Sequence, residues 1–451
     1  MATVKPFRAI RPDAACVREV AALPYDVYSR AEAREAVAGH PLSFLNIDRP
    51  ETQFPETQDM YAPEVYRKAS DMLQAEIADG TFVRETSACY YIYELTMEGR
   101  AQTGIVALSS IDDYLNGICK KHENTVEEKE QDRIRHVDTC SAQTGPIFLA
   151  YRAHAGIQAI VEEVKKEAAL YDFVTDDGVG HRVWRIADSE RVVALEALFE
   201  KVPSTYIADG HHRAASAVKV GLRRREAHPD YDGSEEFNYF LSVLFPDKEL
   251  KIMDYNRVVK DLHGMDPEDF MFSIEEDFQV FHLTQPISPK VKGEICMYLG
   301  GEWFLLRARA ELLSARSIDP VKALDVSLLQ DTVLGPLLGI GDPRTDKRIE
   351  FVGGIRGLRE LEKRVSQHTY AHAMDGSLEE LGPAVAFAMH PTAITELLDV
   401  ADHHLLMPPK STWFEPKLRS GIFIHEIERY TARGVLRDPS LCFVNGTCGE
   451  S

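Results

Sequence analysis

The stretch PSTYIADGHHRAASAVKVG, residues 203–221, opens as an apolar strand and closes as an alanine-rich helix, with Asp209, Gly210, His211, His212 and Arg213 between them. A glycine at such a junction lets the backbone turn where other residues resist, so the stretch predicts a strand delivered directly into a helix. That requirement favours a mixed fold over an all-helical or all-strand one. It also gathers chemistry at one corner. Asp209 ends the strand, the first helical amides are open to an anion, and Arg213 adds a cation, which together are the parts of a phosphate site. A purely structural corner, with Asp209 capping the helix and Arg213 paired locally, uses the same residues. The stretch alone leaves both open.

Charge narrows the partners. Fifty-one Lys and Arg face seventy-two Asp and Glu, a net charge of -21, and no basic tail offsets it. Such a chain repels nucleic acid and anionic membranes unless a local basic site overrides the mean field. The apolar runs, FNYFLSVLF among them, are too short to span a bilayer, and MATVKPFRAIRPD lacks the apolar core of a secretory signal. A cytoplasmic protein without membrane or nucleic-acid partners is the expectation. The seven cysteines form no CxxC pair, which argues against zinc clusters and a disulfide framework and leaves them structural.

Strand and helix signals alternate along the chain. Ser29 is placed to cap a helix over RAEAREAVAG, YYIYELTM and the residues after Glu98 and Gly99 read as a hairpin, and 119–138 is helical by composition. The pattern becomes more acidic and less regular after 259. The expected division is therefore a catalytic region over 1–258, an accessory α+β domain over 259–370, and a C-terminal segment, 371–451, that returns to the first region.

Two further constellations accompany the corner. In KKHENTVEEKEQDRIRHVD, His122 and Glu123 precede a stretch in which Lys129, Arg133 and His136 recur at helical spacing, a cationic face suited to an anionic substrate. Glu123 is then a candidate general base, while a solvated charged helix remains the plain alternative. In HHLLMPPKSTWFEPKLRSG, Lys410, Ser411 and Thr412 follow a stiff Pro-Pro pair and can grasp a phosphate or carboxylate, with Lys417 and Arg419 adding charge. No glycine-rich run precedes Lys410, so this is not a Walker motif.

KKHENT, YIADGHHR, YNRVV, AFAMHPT and MPPKSTWFEPKLRSG, in this order, resemble domain-of-unknown-function family 1015 over nearly the whole chain. The DGHHR corner is in turn similar to that of the ParB/sulfiredoxin-like superfamily, which includes archaeal free serine kinases. The resemblance implies an α+β protein whose ParB/sulfiredoxin-like mixed sheet carries large helical and strand elaborations. It further implies a Mg2+-dependent kinase that moves a phosphoryl group from ATP, ADP or pyrophosphate to free L-serine, giving O-phospho-L-serine. Asp209, His211, His212 and Arg213 match the serine kinase motif one for one. On that expectation Asp209, His211 and His212 are catalytic, with Asp209 also the Mg2+ ligand. Gly210, Arg213, Lys410, Ser411 and Thr412 hold the nucleotide, and His122, Arg133 and Arg419 hold a small acceptor, a free amino acid. Glu123 as base comes from its chemistry and has no counterpart in the motif. Histidine where sulfiredoxin has its cysteine argues against sulfinic acid reduction. The alternative is a ParB-like nucleotide-binding regulatory or DNA-associated protein without kinase activity.

Overall fold

A computed structural model describes residues 1–372, 378–428, 430–431 and 434–435; Cys442 and Cys448 lie outside the described residues. The chain forms two compact units, Met1–Leu250 with Pro416–Ser451, and Lys251–Glu415.

The first unit is built on a nine-stranded mixed sheet. Across it run Cys119–Lys120, Thr205–Asp209, Ile147–Tyr151, Tyr239–Pro246, Arg100–Ser110, Tyr90–Met97, Gly180–Ile186 and Tyr171–Val174, with Val4–Lys5 pairing on Arg100–Ser110. Its central strands are continuous apolar runs buried on both faces, as YIAD and FLSVLFP require. Tyr90–Met97 and Arg100–Ser110 join through Glu98 at φ 52° and Gly99 at φ 76°, the paired positive angles of a two-residue hairpin. Ser29 caps the helix Arg30–Val37, its hydroxyl accepting from the Glu32 amide while the Glu32 carboxylate accepts from the Ser29 amide. Both features follow the sequence expectation, and so does the α+β class.

The segment 119–138 does not. Cys119–Lys120 is an edge strand paired in parallel with Thr205–Asp209, and the helix starts only at Glu127. The two lysines and His122 therefore leave the sheet in extended backbone before the chain turns into the helix. Cys119 itself is fully buried, and burial pushes its thiol up to about 12, which suits packing and not catalysis.

The second unit carries a six-stranded, wholly antiparallel sheet ordered Phe278–Leu283, Glu302–Ala308, Glu294–Leu299, Val385–Met389, Tyr255–Val259 and Ile349–Gly353. Leu361 and Val365 of the helix Leu358–Thr369 pack on it. Tyr255–Val259, read from sequence as the end of the first region, is thus an interior strand here, and Val385–Met389, assigned to the returning segment, lies beside it. A strand pairs where its long-range partners are, and those partners are invisible in local composition.

One buried acid in the first unit yields a pH prediction. Glu76, on the helix Pro63–Ala78, has one carboxylate oxygen buried with no hydrogen-bond partner among the described residues. Burial, helped by the charge of Asp79, raises its pKa to about 7. A raised carboxyl pKa costs nothing while both folded and unfolded forms are protonated, and costs progressively more as pH climbs from the unfolded value through 7. Glu76→Gln is expected to raise stability at pH 8 by about 2 kcal/mol after allowance for solvent screening, with little effect at pH 4. Denaturant melts at the two pH values check this; an equal shift at both would rule it out.

Candidate functional site

The strand Thr205–Asp209 ends in a register shift against Ile147–Tyr151 between Ile207 and Asp209, an irregularity that re-aims Asp209 at the sheet's end. Gly210 follows at φ 93°, and the helix His211–Ala227 begins at once. A side chain at Gly210 would be strained by that angle and would stand 3.1 Å from the Arg213 guanidinium. Gly210, at the N-cap, has no side chain to cap this helix, which favours an anion at its opening amides.

Asp209 is the electrostatic centre of the corner. Its Oδ1 accepts from the Gly210 amide at 2.9 Å, and its Oδ2 faces Lys417 Nζ at 3.2 Å and Arg213 Nη2 at 3.8 Å. Burial works against ionisation here, yet Lys417 and Arg213 overcome it and hold the carboxyl well below the ordinary range. Two cations on one carboxylate leave net positive charge, which suits phosphate. The same arrangement does not suit Mg2+, which needs anionic and neutral oxygens where these cations stand.

Arg213 reaches further. Its Nη1 donates to the Pro146 carbonyl at 2.5 Å, and its buried Nε has no hydrogen-bond partner among the described residues. It also lines a small cavity with Tyr25, Asp48, Arg133, Thr144 and Gly145. Arg133 is buried there, paired with Asp132 at 2.8 Å and stacked 3.9 Å from the Tyr25 ring centroid. His136 meets the Ile47 carbonyl at 2.9 Å, whereas Lys129 is exposed. The cationic face expected on this helix is therefore split, with two of its members turned inward.

His122, Glu123 and His211 converge on the other side of the corner. Each offers a donor atom, and the three donors lie within 4.8 Å of one another, a set that can hold a divalent ion. The His122 and His211 rings stand perpendicular, at 89°, with centroids 4.5 Å apart. Burial lowers the His122 pKa to about 4 although the Ile207 backbone and Asp209 pull upward; burial and then His122 drive His211 well below its usual value. Both imidazoles are thus neutral at physiological pH.

His212 has a different task. Its Nε2 accepts from the Val126 amide at 2.9 Å, at the start of the helix Glu127–Cys140, so the ring ties two helices together. Ser216 reinforces the joint by donating to the Glu130 carbonyl at 3.1 Å. This positions the loop carrying His122 and Glu123 and takes that nitrogen away from direct chemistry.

The C-terminal motif divides. Lys417 belongs to the first unit and meets Asp209, whereas Lys410, Ser411 and Thr412 belong to the second. There Lys410 adopts φ 59° with its carbonyl accepting from Arg257 at 3.0 Å, and the Ser411 hydroxyl donates to the Pro408 carbonyl at 2.5 Å. Both contacts build a turn. Arg419 lies in the first unit but is buried beside His181, Thr175 and Asp177, donating to Thr175 at 3.2 Å and pairing with Asp177. The residue that sequence reasoning underweighted is Lys417, seven positions beyond the lysine it favoured. Its only signal was its place in the same motif.

A family model described as "Protein of unknown function (DUF1015)" matches residues 4–327. No curated protein matches the sequence. Among solved structures, a conserved hypothetical protein from Pyrococcus furiosus is similar at 16% identity, covering 71% of this chain and 94% of that chain with a TM-score of 0.31. SbnI with a C-terminal truncation from Staphylococcus aureus is similar at 10% identity over 71% of this chain and 87% of that chain, with a TM-score of 0.36. A free serine kinase in complex with AMP is similar at 13% identity over 70% of this chain and 91% of that chain, with a TM-score of 0.31.

Proposed function

The chain belongs to the DUF1015 family of proteins of unknown function, and from the chemistry of its strand-to-helix corner we propose that it is a phosphotransferase acting on a small hydroxyl compound. The acceptor is free L-serine and the donor ATP, ADP or pyrophosphate, so that the product is O-phospho-L-serine. One observation carries this reading: an uncapped helix start, with Lys417 and Arg213 converging on Asp209, stands beside a carboxylate flanked by two neutral imidazoles.

Phosphoryl transfer asks a protein for positioning and for charge on the transferred group. The open amides after Gly210, with Lys417 and Arg213, supply that charge, and Asp209 keeps the two cations in place. Serine Oγ forms its bond to the terminal phosphorus while the bond to the bridging oxygen breaks and the leaving phosphate keeps the electron pair. Glu123 takes the hydroxyl proton. Mg2+ bound to the donor would supply further positive charge on its phosphates. Serine as acceptor rests on the likeness of Asp209, Gly210, His211, His212 and Arg213 to the serine kinase corner.

Glu123→Gln is expected to lower kcat by about 10² to 10⁴-fold while changing the KM for serine much less. A steady-state assay reads the split directly. An unchanged kcat would remove Glu123 from the proton transfer. Calorimetric binding of nucleotide with no transfer to any small acceptor would instead favour a nucleotide-sensing protein using the same corner.

A further inference from the structure

We infer that His122, Glu123 and His211 bind one divalent ion of the borderline transition series, with Zn2+ the preferred occupant, and that Mg2+ is a poor one. The inference rests on the donor atoms and does not need the transfer reaction.

The three residues are brought together by the sheet. Cys119–Lys120 and Thr205–Asp209 pair in parallel, with Cys119 opposite Thr205 and Lys120 opposite Tyr206. Parallel neighbours leave the sheet at the same end, so the chain after Lys120 and the chain after Asp209 emerge side by side. His122 and Glu123 follow the first strand and His211 the second. The His212 bond to the Val126 amide then pins the first of these loops against the helix that carries His211. Preformed convergence of this kind lowers the ordering cost of binding an ion.

The two histidine donors are underused. His122 is 2% exposed and His211 is 7% exposed. The Nε2 of His211 has no hydrogen-bond partner among the described residues. The ring nitrogens of His122 make no hydrogen bond of normal geometry either, although the Ile207 backbone stands near enough to favour its charged form. A buried polar atom left unpaired is costly, so a fold that leaves such nitrogens converging calls for a partner between them. One donor atom from each of His122, Glu123 and His211 already lies within 4.8 Å of the other two.

The donor set selects the ion. Two imidazole nitrogens and one carboxylate oxygen suit Zn2+ and its neighbours, whereas Mg2+ demands near-octahedral oxygen. Three protein ligands also leave a fourth position open, the arrangement of zinc sites that meet a substrate or water.

The test uses the full chain, stripped with chelator and titrated separately with Zn2+, Co2+ and Mg2+ by calorimetry, with absorption followed for Co2+. The expected result is one equivalent of Zn2+ or Co2+, cobalt bands of a low-coordinate site, and binding of Mg2+ weaker by about 100-fold or more. His211→Asn and Glu123→Gln should each weaken Zn2+ by at least about 10-fold. Glu123 is partly exposed, so its variant keeps the measurement interpretable if His211→Asn fails to fold. Absence of Zn2+ and Co2+ uptake by the unmodified chain would overturn the site, as would affinity unchanged in Glu123→Gln. Because uptake is read without nucleotide or serine, a metal-loaded protein that transfers no phosphate would sink the transfer reading and leave this one standing.

Discussion

Replacing Lys417 by Met is expected to lower phosphoryl transfer by about 10² to 10³-fold with the fold retained. Lys417 contributes one of the two cations that face Asp209, at 3.2 Å, and its removal takes positive charge from the place where phosphate charge develops. The Asp209 carboxyl, held low by Lys417 first and Arg213 second, would rise toward its ordinary range, leaving an acid with a single cationic partner. The loss should appear in kcat and kcat/KM together, because charge that matters in the transition state is missing from both. Lys417→Arg restores the charge with different geometry and is expected to recover part of the rate. A kcat/KM unchanged in Lys417→Met would detach this lysine from the reaction and leave it a structural partner of Asp209.

Gly221→Ala is expected to destabilise the first unit by about 3 kcal/mol, near the upper end of what overpacking costs. Gly221 sits in the helix His211–Ala227, and an added Cβ would stand 2.5 Å from the Phe237 carbonyl oxygen and 2.8 Å from Ile111 Cδ1. The first of these is backbone and cannot rotate aside, so the whole helix must move. That helix begins at His211 and carries Arg213, so the displacement reaches the corner as well. A calorimetric scan should show the transition lowered by about 5 °C for a unit of this size. A shift under about 2 °C would mean that the helix has room the geometry does not show. Ser216→Ala, which removes one tie to the neighbouring helix, provides a milder comparison at the same interface.

The corner was legible because its constraints are local. A glycine between an apolar strand and an alanine-rich helix leaves few backbone solutions, and the strand Thr205–Asp209, Gly210 in left-handed backbone and the helix from His211 are what the residues dictate. Glu98 and Gly99 in their hairpin and Ser29 in its capping box are legible for the same reason. Residues whose roles depend on distant partners were not. His212 and His211 are neighbours in sequence, yet one accepts a backbone bond and the other faces His122, a difference set by the helix Glu127–Cys140. Arg133 looked available to an anion, but Tyr25 and Asp132 enclose it. Lys410 and Lys417 sit in one motif, and only the fold assigns them to different units. The edge strand Cys119–Lys120 is two residues long and owes its existence to Thr205 and Tyr206, far along the chain. Short strands carry too little pattern to declare themselves, whereas the corner that they complete carries a great deal.

The measurement that bears most directly on the central claim is phosphorus NMR of the purified chain incubated with Mg2+, L-serine and, in parallel, ATP, ADP or pyrophosphate. Phosphoryl transfer predicts a growing O-phosphoserine resonance with at least one donor, matched by loss of the donor's terminal phosphate and absent when serine is omitted. No O-phosphoserine with any of the three, in samples where calorimetry shows nucleotide bound, would contradict it.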